Sequence, residues 1–138
     1  MIDLSVIIPV YNEEKTLRDI VDRVQAVVIP RNSVMEQEEE TNNTDLIVLE
    51  IVLVDDGSAD STPDIMEDLK AHEKITDHFA GFTILRQKNA GKGAALKTGI
   101  AAAQGDMVLF QDADLEYDPQ DYSVMIKPIM NGEVEAVI

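Results

Sequence analysis

Met107-Val108-Leu109-Phe110-Gln111-Asp112-Ala113-Asp114-Leu115-Glu116-Tyr117-Asp118-Pro119 runs from a short apolar stretch straight into two carboxylates one residue apart, with a third acidic residue, Glu116, two positions on. The apolar run Val108 to Phe110 reads as a buried strand spanning Met107 to Gln111. In an α/β protein, ligands bind beyond the carboxyl ends of the strands. Carboxylates gathered there suit a divalent cation with hard oxygen ligands, usually with phosphate as its other partner. Residues two apart on a strand point the same way, so Asp112 and Asp114 can act together. Asp118 precedes Pro119 and reads as the cap of the next helix, where a carboxylate favours the N-terminus.

The rest of the chain repeats the strand-then-helix alternation. Leu4 to Val10 is a continuous β-branched run, a first buried strand ended by Pro9. Leu17, Ile20, Val21, Val24, Val27 and Val28 then share one helical face, predicting a helix from Glu13 to Ile29 that Pro30 stops. Leu46 to Val54 is a second strand, leading into Asp55-Asp56-Gly57-Ser58. Ser61-Thr62-Pro63 opens a helix reaching about Glu73, with proline suited to its first turn. Phe82 to Leu85 is a third strand; Gly91 to Ala103 is an alanine-rich helix with Gly105 at its C-terminal cap. Pro119 to Met130 is a fourth helix, and Val134 to Ile138 begins a fifth strand. This alternation predicts a mostly parallel sheet with helices on both faces. The chain stops inside that last strand, which predicts a domain cut short at its C-terminus; an edge left open there would let the sheet pair with a second copy.

At 138 residues this is one domain, 1–138, with a hydrophobic content of 45% to build its core. The segment at about 31–45, which holds Glu36, Glu38, Glu39 and Glu40, reads as an acidic, mobile surface insertion. With no cysteine, disulfides, thiolate metal sites and a cysteine nucleophile are excluded. The net charge of -16 disfavours nucleic acid as a partner, and it leaves a phosphate ligand in need of a cation or a local basic spot. No apolar run approaches the roughly 20 residues of a membrane span, and Asp3 stands where a signal peptide carries positive charge. The expected setting is cytoplasmic.

Acidic residues follow three strands: Glu13 after the first, Asp55 and Asp56 after the second, and Asp112, Asp114 and Glu116 after the fourth. A parallel sheet brings all of them to one edge. Counted from Asp112, an EF-hand would need glycine at Tyr117 and glutamate at Ser123, so that loop is excluded. An aspartyl phosphatase shares Asp-x-Asp but usually follows it with Thr or Val. Asn89-Ala90-Gly91-Lys92-Gly93 lets backbone approach a ligand at a helix start, where anions are favoured, and Lys92 could contact a diphosphate. It is neither a P-loop nor Gly-x-Gly-x-x-Gly, since Leu96 occupies the third glycine position. His72 and His78 read as surface residues, and Ser58 and Ser61 as turn and cap residues.

Together these motifs resemble glycosyltransferase family 2, of the GT-A fold. Ser5 to Glu14, Ile51 to Ser58, Asn89 to Gly93 and Asp112-Ala113-Asp114 match in order and spacing, and Leu115 to Pro119 looks most like the branch containing dolichyl-phosphate mannosyl- and glucosyltransferases. The resemblance implies the nucleotide-sugar-binding part of a GT-A domain. In it Pro9, Val10, Tyr11 and Glu13 would line the nucleotide pocket, and Asp55 would hydrogen-bond the base. Asp112 and Ala113 would lie by the ribose and diphosphate, with Lys92 nearby. Asp114, with Asp112 and Glu116, would hold Mg2+ or Mn2+. The implied reaction transfers a hexose from a UDP- or GDP-linked donor, with inversion, to an acceptor such as a polyprenyl or dolichyl phosphate, at the cytoplasmic membrane face in a full-length protein. The family's acceptor-side base lies downstream of Asp-x-Asp, so no catalytic base is assigned here and turnover by this chain alone is not expected. Rival readings are a catalytically silent nucleotide- or metal-binding module and another α/β phosphate enzyme, such as an aspartyl phosphatase or a nucleotidyltransferase.

Overall fold

The structure, a computed structural model, describes residues 1–34, 45–114 and 118–132. Four parallel strands form the sheet: β1 (Leu4–Val10), β2 (Leu49–Asp55), β3 (Phe79–Arg86) and β4 (Met107–Phe110), in the order β3-β2-β1-β4. The predicted fifth strand, residues 35–44 of the insertion expected at about 31–45, and Glu116 lie outside the described residues, whereas the start of that insertion, Arg31–Val34, is a short helix with Val34 buried rather than an exposed loop.

Strand alternation sorts the core into two layers. On one face Leu4, Val6, Ile8, Leu49, Ile51 and Leu53 pack with helix α1 (Leu17–Gln25). The short helix α2 (Arg31–Val34) adds Val34 to that layer, and α3 (Thr62–Ala71) adds Met66. On the other face Ile7, Val52 and Val54 meet Ala95 of α4 (Lys92–Ala102). A 3-10 turn (Pro119–Asp121) leads into α5 (Tyr122–Met130), whose Tyr122 and Ile126 join the first layer. Helices thus cover both faces, as the alternation predicted.

Several boundaries moved, for local reasons. α1 ends at Gln25 rather than Ile29: Val27 and Ile29 are buried while Val28 between them is 50% exposed, a period of two that marks extended chain. That segment reaches Pro30, which bridges Leu46 in antiparallel fashion. β2 accordingly starts at Leu49, not Leu46. β3 extends at both ends of the expected run. The base of the insertion is held by Arg31, which bonds Asp3 at 2.8 Å and Asp45 at 3.0 Å; the hydrogen bond to Asp3 leads in raising the guanidinium's pKa.

β4 is not the buried strand its apolar run suggested. Leu109 faces the first layer, whereas Val108 and Phe110 are 39% and 44% exposed. α4 packs on β1 and β2, and β4 is an edge strand of the described sheet, so the face of β4 on the α4 side is left uncovered among the described residues.

Candidate functional site

The strand order reverses between β1 and β4, since β2 and β3 lie on one side of β1 and β4 on the other. Such a switch point opens a crevice at the carboxyl edge of the sheet. A cleft of about 470 Å³ lies there. Pro9, Val10, Tyr11 and Glu13 contribute from the end of β1, and Asp112, Ala113 and Asp114 from the end of β4. Lys92, Gly91, Asn89 and Ala95 line it from the start of α4, and Asp56 from beyond β2.

The walls are tied together by polar bonds that cross between loops. Asn12, in the left-handed region at φ 52, donates its backbone N–H to Ser58 Oγ at 2.8 Å and accepts from Ala59 N–H at 2.9 Å; asparagine is among the residues that tolerate this conformation. Glu13 N–H donates to Thr62 Oγ1 at 2.9 Å, and Glu14 accepts from Ser61 N–H at 3.0 Å. These bonds tie the residues ahead of the helix to the loop after β2, and α1 begins at Leu17 rather than Glu13. The Glu13 carboxylate accepts the Thr16 hydroxyl at 2.9 Å.

The two neighbouring aspartates at the end of β2, Asp55 within it and Asp56 just beyond, face opposite ways. Asp55 shares the face of Ile51 and Leu53. It is fully buried, accepting from the Ser58 N–H and hydroxyl and from Arg86 Nε at 3.3 Å, and it does not line the cleft. Asp56 shares the α4 side with Val52 and Val54 and does line it. Its carboxyl is held below the usual range, first by the Gln87 side chain and then by the backbone N–H of Ala90, with Gly91 N–H adding to them. Sequence reading singled out Asp55 and gave Asp56, Asn89, Gly91 and Ala95 no individual role. Alternation along β2 was the signal that separates the two carboxylates.

Asp112 is ion-paired with Lys92, whose side chain is 60% exposed. The first turn of α4 therefore reaches the Asp112–Asp114 end of the cleft. Behind this wall, Gln111 is fully buried, donates Nε2–H to the Asp112 carbonyl at 3.2 Å, and accepts the Tyr122 hydroxyl at 2.6 Å. Burial pushes the Tyr122 phenol far above its ordinary value, so it stays a donor. Tyr122→Phe should lower stability by about 1 kcal/mol, seen as a fall of roughly 4 °C in Tm; an unchanged melt would show that the bond contributes nothing net. Asp118 caps the 3-10 turn as expected, accepting Gln120 N–H at 3.0 Å.

Among the described residues no three His, Cys, Asp or Glu side chains cluster as a metal cage. Asp112 and Asp114 could supply the one or two carboxylates that a Mg2+ or Mn2+ ion takes, with water and phosphate completing its shell. The lysine ammonium already seated on Asp112 marks a position where this chain itself places positive charge.

A parallel α/β sheet with helices on both faces and a cleft at its switch point is a doubly wound architecture, in which ligands bind at that crevice. The chain belongs to the glycosyl transferase family 2, whose family model matches residues 5–138. An undecaprenyl-phosphate 4-deoxy-4-formamido-L-arabinose transferase of Pseudomonas syringae pv. syringae is 34% identical over 129 residues, 94% of this chain and 33% of that protein. The transferase of that name from Aeromonas hydrophila is 33% identical over the same share of this chain and 34% of its own. This chain thus spans about a third of the length of these relatives. Glucosyl-3-phosphoglycerate synthase from Mycobacterium tuberculosis, solved with UDP, superposes with a TM-score of 0.64 at 25% identity, covering 95% of this chain and 41% of the synthase. S. aureus TarS 1-349 with UDP-GlcNAc gives a TM-score of 0.55 at 25% identity, over 82% of this chain and 27% of TarS. No described helix is long and apolar enough to cross a membrane.

Proposed function

We propose that this chain forms the donor side of a glycosyl transfer from a nucleotide-diphosphate sugar to a polyprenyl phosphate, at a cytoplasmic membrane face. The observation that carries the reading is the cleft at the switch point, where the Asp112–Lys92 pair joins the acidic strand end to the start of α4. The relatives' names, which pair a sugar transferase with undecaprenyl phosphate, favour a lipid phosphate acceptor. The neighbours solved with UDP and UDP-GlcNAc favour a uridine donor over a guanosine one.

In this reading Pro9, Val10, Tyr11 and Glu13 hold the nucleoside, Asp112 and Ala113 flank the ribose and diphosphate, and Lys92 meets the diphosphate. Asp112 and Asp114, with Glu116, would hold Mg2+ or Mn2+. Asp55 reaches the base only through a side-chain movement that opens it to the cleft, because its carboxylate is buried and bonded to Ser58 and Arg86. A bound cation would neutralise charge growing on the leaving diphosphate. The bond from the anomeric carbon to the diphosphate oxygen breaks as an acceptor oxygen attacks from the opposite side, and the electron pair leaves with the nucleotide. An ionised lipid phosphate needs no base to become the nucleophile, whereas a hydroxyl acceptor would need one.

Calorimetric titration of UDP-glucose and GDP-mannose, with and without Mn2+, tests this directly. Saturable binding of the uridine donor that tightens with metal is the expected result. Heat signals absent for both nucleotides under both conditions would overturn the donor-site reading.

A further inference from the structure

Gln111 occupies a core position between Leu109 and Ala113. The three are 0%, 7% and 3% exposed respectively, in the alternation that leaves Val108 and Phe110 open on the other side. Leu109, Ala113, Tyr122 and Ile126 all belong to the first core layer. A buried amide costs free energy unless it is hydrogen-bonded, and an apolar side chain would fill such a place without that cost. Packing alone therefore gives no reason for a glutamine here.

Its bonds supply one. Gln111 N–H adds a rung to the ladder with Ile7 at 2.9 Å, just past the end of β4. Its Nε2–H donates forward to the Asp112 carbonyl at 3.2 Å, and its Oε1 accepts the hydroxyl of Tyr122, eleven residues on, at 2.6 Å. A carbonyl can only accept, so it takes the Nε2 end of the amide and the hydroxyl takes Oε1. Tyr122 opens α5 and is fully buried. The peptide joining Asp112 to Ala113 is thus gripped from the core side, while Asp112 and Asp114 line the cleft. Lys92 pairs with the Asp112 carboxylate from the opposite wall. Asp112 is therefore held twice, by Lys92 at its side chain and by Gln111 at its backbone.

We infer that Gln111 is a positioning residue for the cation and diphosphate end of the cleft: it anchors the Asp112–Ala113 peptide to the start of α5 and so fixes the direction of the Asp112 and Asp114 carboxylates. This rests on the donor-binding reading above. Gln111 itself touches no ligand, because it is fully buried behind the wall and does not line the cleft. Its removal acts on metal-assisted diphosphate recognition rather than on the nucleoside.

Two variants separate this role from a merely structural one, with UDP, UMP and Mn2+ as probes. Gln111→Met combined with Tyr122→Phe makes both partners apolar together, a change that can be nearly neutral for stability, yet the Asp112 carbonyl loses the Gln111 donor. Tyr122→Phe alone takes the hydroxyl from Oε1 but leaves the bond to Asp112 in place. The double variant should therefore melt closer to the unsubstituted protein than Tyr122→Phe does. Binding should show the opposite order. The gain in UDP affinity on adding Mn2+ should fall about tenfold in the double variant, because a site with a loosened support is mispositioned. In Tyr122→Phe that gain, and in both variants the metal-free UMP affinity, should stay within about threefold. A ligand-free readout accompanies these: the order parameter of the Ala113 methyl should fall in the double variant and hold in Tyr122→Phe. An undiminished Mn2+ gain in the double variant, an equal loss in Tyr122→Phe, or an unchanged Ala113 order parameter would overturn the inference. Failure of the unsubstituted protein to bind UDP would instead remove the donor-binding reading, while the order parameter would still decide whether Gln111 holds this loop.

Discussion

Asp114→Ala should abolish the tightening of UDP-sugar binding by Mn2+ while leaving the fold intact. Asp114 is exposed at the cleft and bears no described bond that supports the core, and substitutions of that kind usually stay within about 0.5 kcal/mol. In the donor-site reading its function is electrostatic. A close pair of unit charges is worth about 4 kcal/mol at 4 Å in an effective dielectric of 20, and solvent screening takes part of that here. On a chain of net charge -16 a diphosphate has, besides a cation, only Lys92 among the described lining residues to offset repulsion at this edge. We therefore expect a loss of roughly 100-fold in metal-dependent affinity, about 2.8 kcal/mol at 1.4 kcal/mol per decade, with the metal-independent affinity changed little. Calorimetry with and without Mn2+ reads both numbers on one sample. Metal-enhanced binding that survives in Asp114→Ala would mean the cation sits elsewhere.

Gly105→Ala should destabilise the protein by about 3 kcal/mol, a sizeable part of the 5–15 kcal/mol that typical domains possess. The sign is the informative part. Gly105 has no left-handed φ that would demand glycine, and at a permissive position Gly→Ala stabilises by about 0.4–1 kcal/mol. Here a Cβ would lie 2.7 Å from Ser5 Oγ, 2.8 Å from Ser5 N and 2.9 Å from the Leu4 carbonyl carbon. Two of those atoms are β1 backbone and cannot swing away. The contact sits in a buried knot in which Ser5 Oγ donates to Glu50 at 2.7 Å and accepts Gly105 N–H at 2.8 Å, while Gln104 N–H bonds the same Glu50 carboxylate at 2.7 Å. Gly93→Ala is the control, since a Cβ there meets nothing within 4 Å and a helix favours alanine. Urea unfolding of the two variants should move in opposite directions. A stabilised Gly105→Ala would show that the approach to β1 is looser than described.

Those glycines show where sequence reading stops. Gly105 looked like a helix cap from its place after an alanine-rich helix, but α4 ends at Ala102, Ala103 beyond it is already extended, and Gly105 is needed for contact with a strand a hundred residues earlier. Likewise Val28 carried the spacing of a helical face, yet it points to solvent because Val27 and Ile29 alternate into the core. Val108 and Phe110 carried the composition of a buried strand, and their exposure depends on where α4 packs, which no local pattern encodes.

What the sequence determined by itself is the layered architecture and the gathering of acidic residues at one sheet edge. Continuous β-branched runs can be satisfied only by strands buried on both faces, and short links between alternating strands and helices leave parallel pairing as the available topology. Glu13, Asp112 and Asp114 reach the cleft for that reason alone. What only the tertiary structure decided is how neighbouring carboxylates divide their work. Asp55 and Asp56 are chemically identical and adjacent, but strand alternation sends one into the core against Arg86 and the other to the loop before α4. Apart from Ser58, which bonds Asp55 locally, the partners that fill their acceptor positions come from residues about thirty positions away, and those meet them only when β2 and β3 pair.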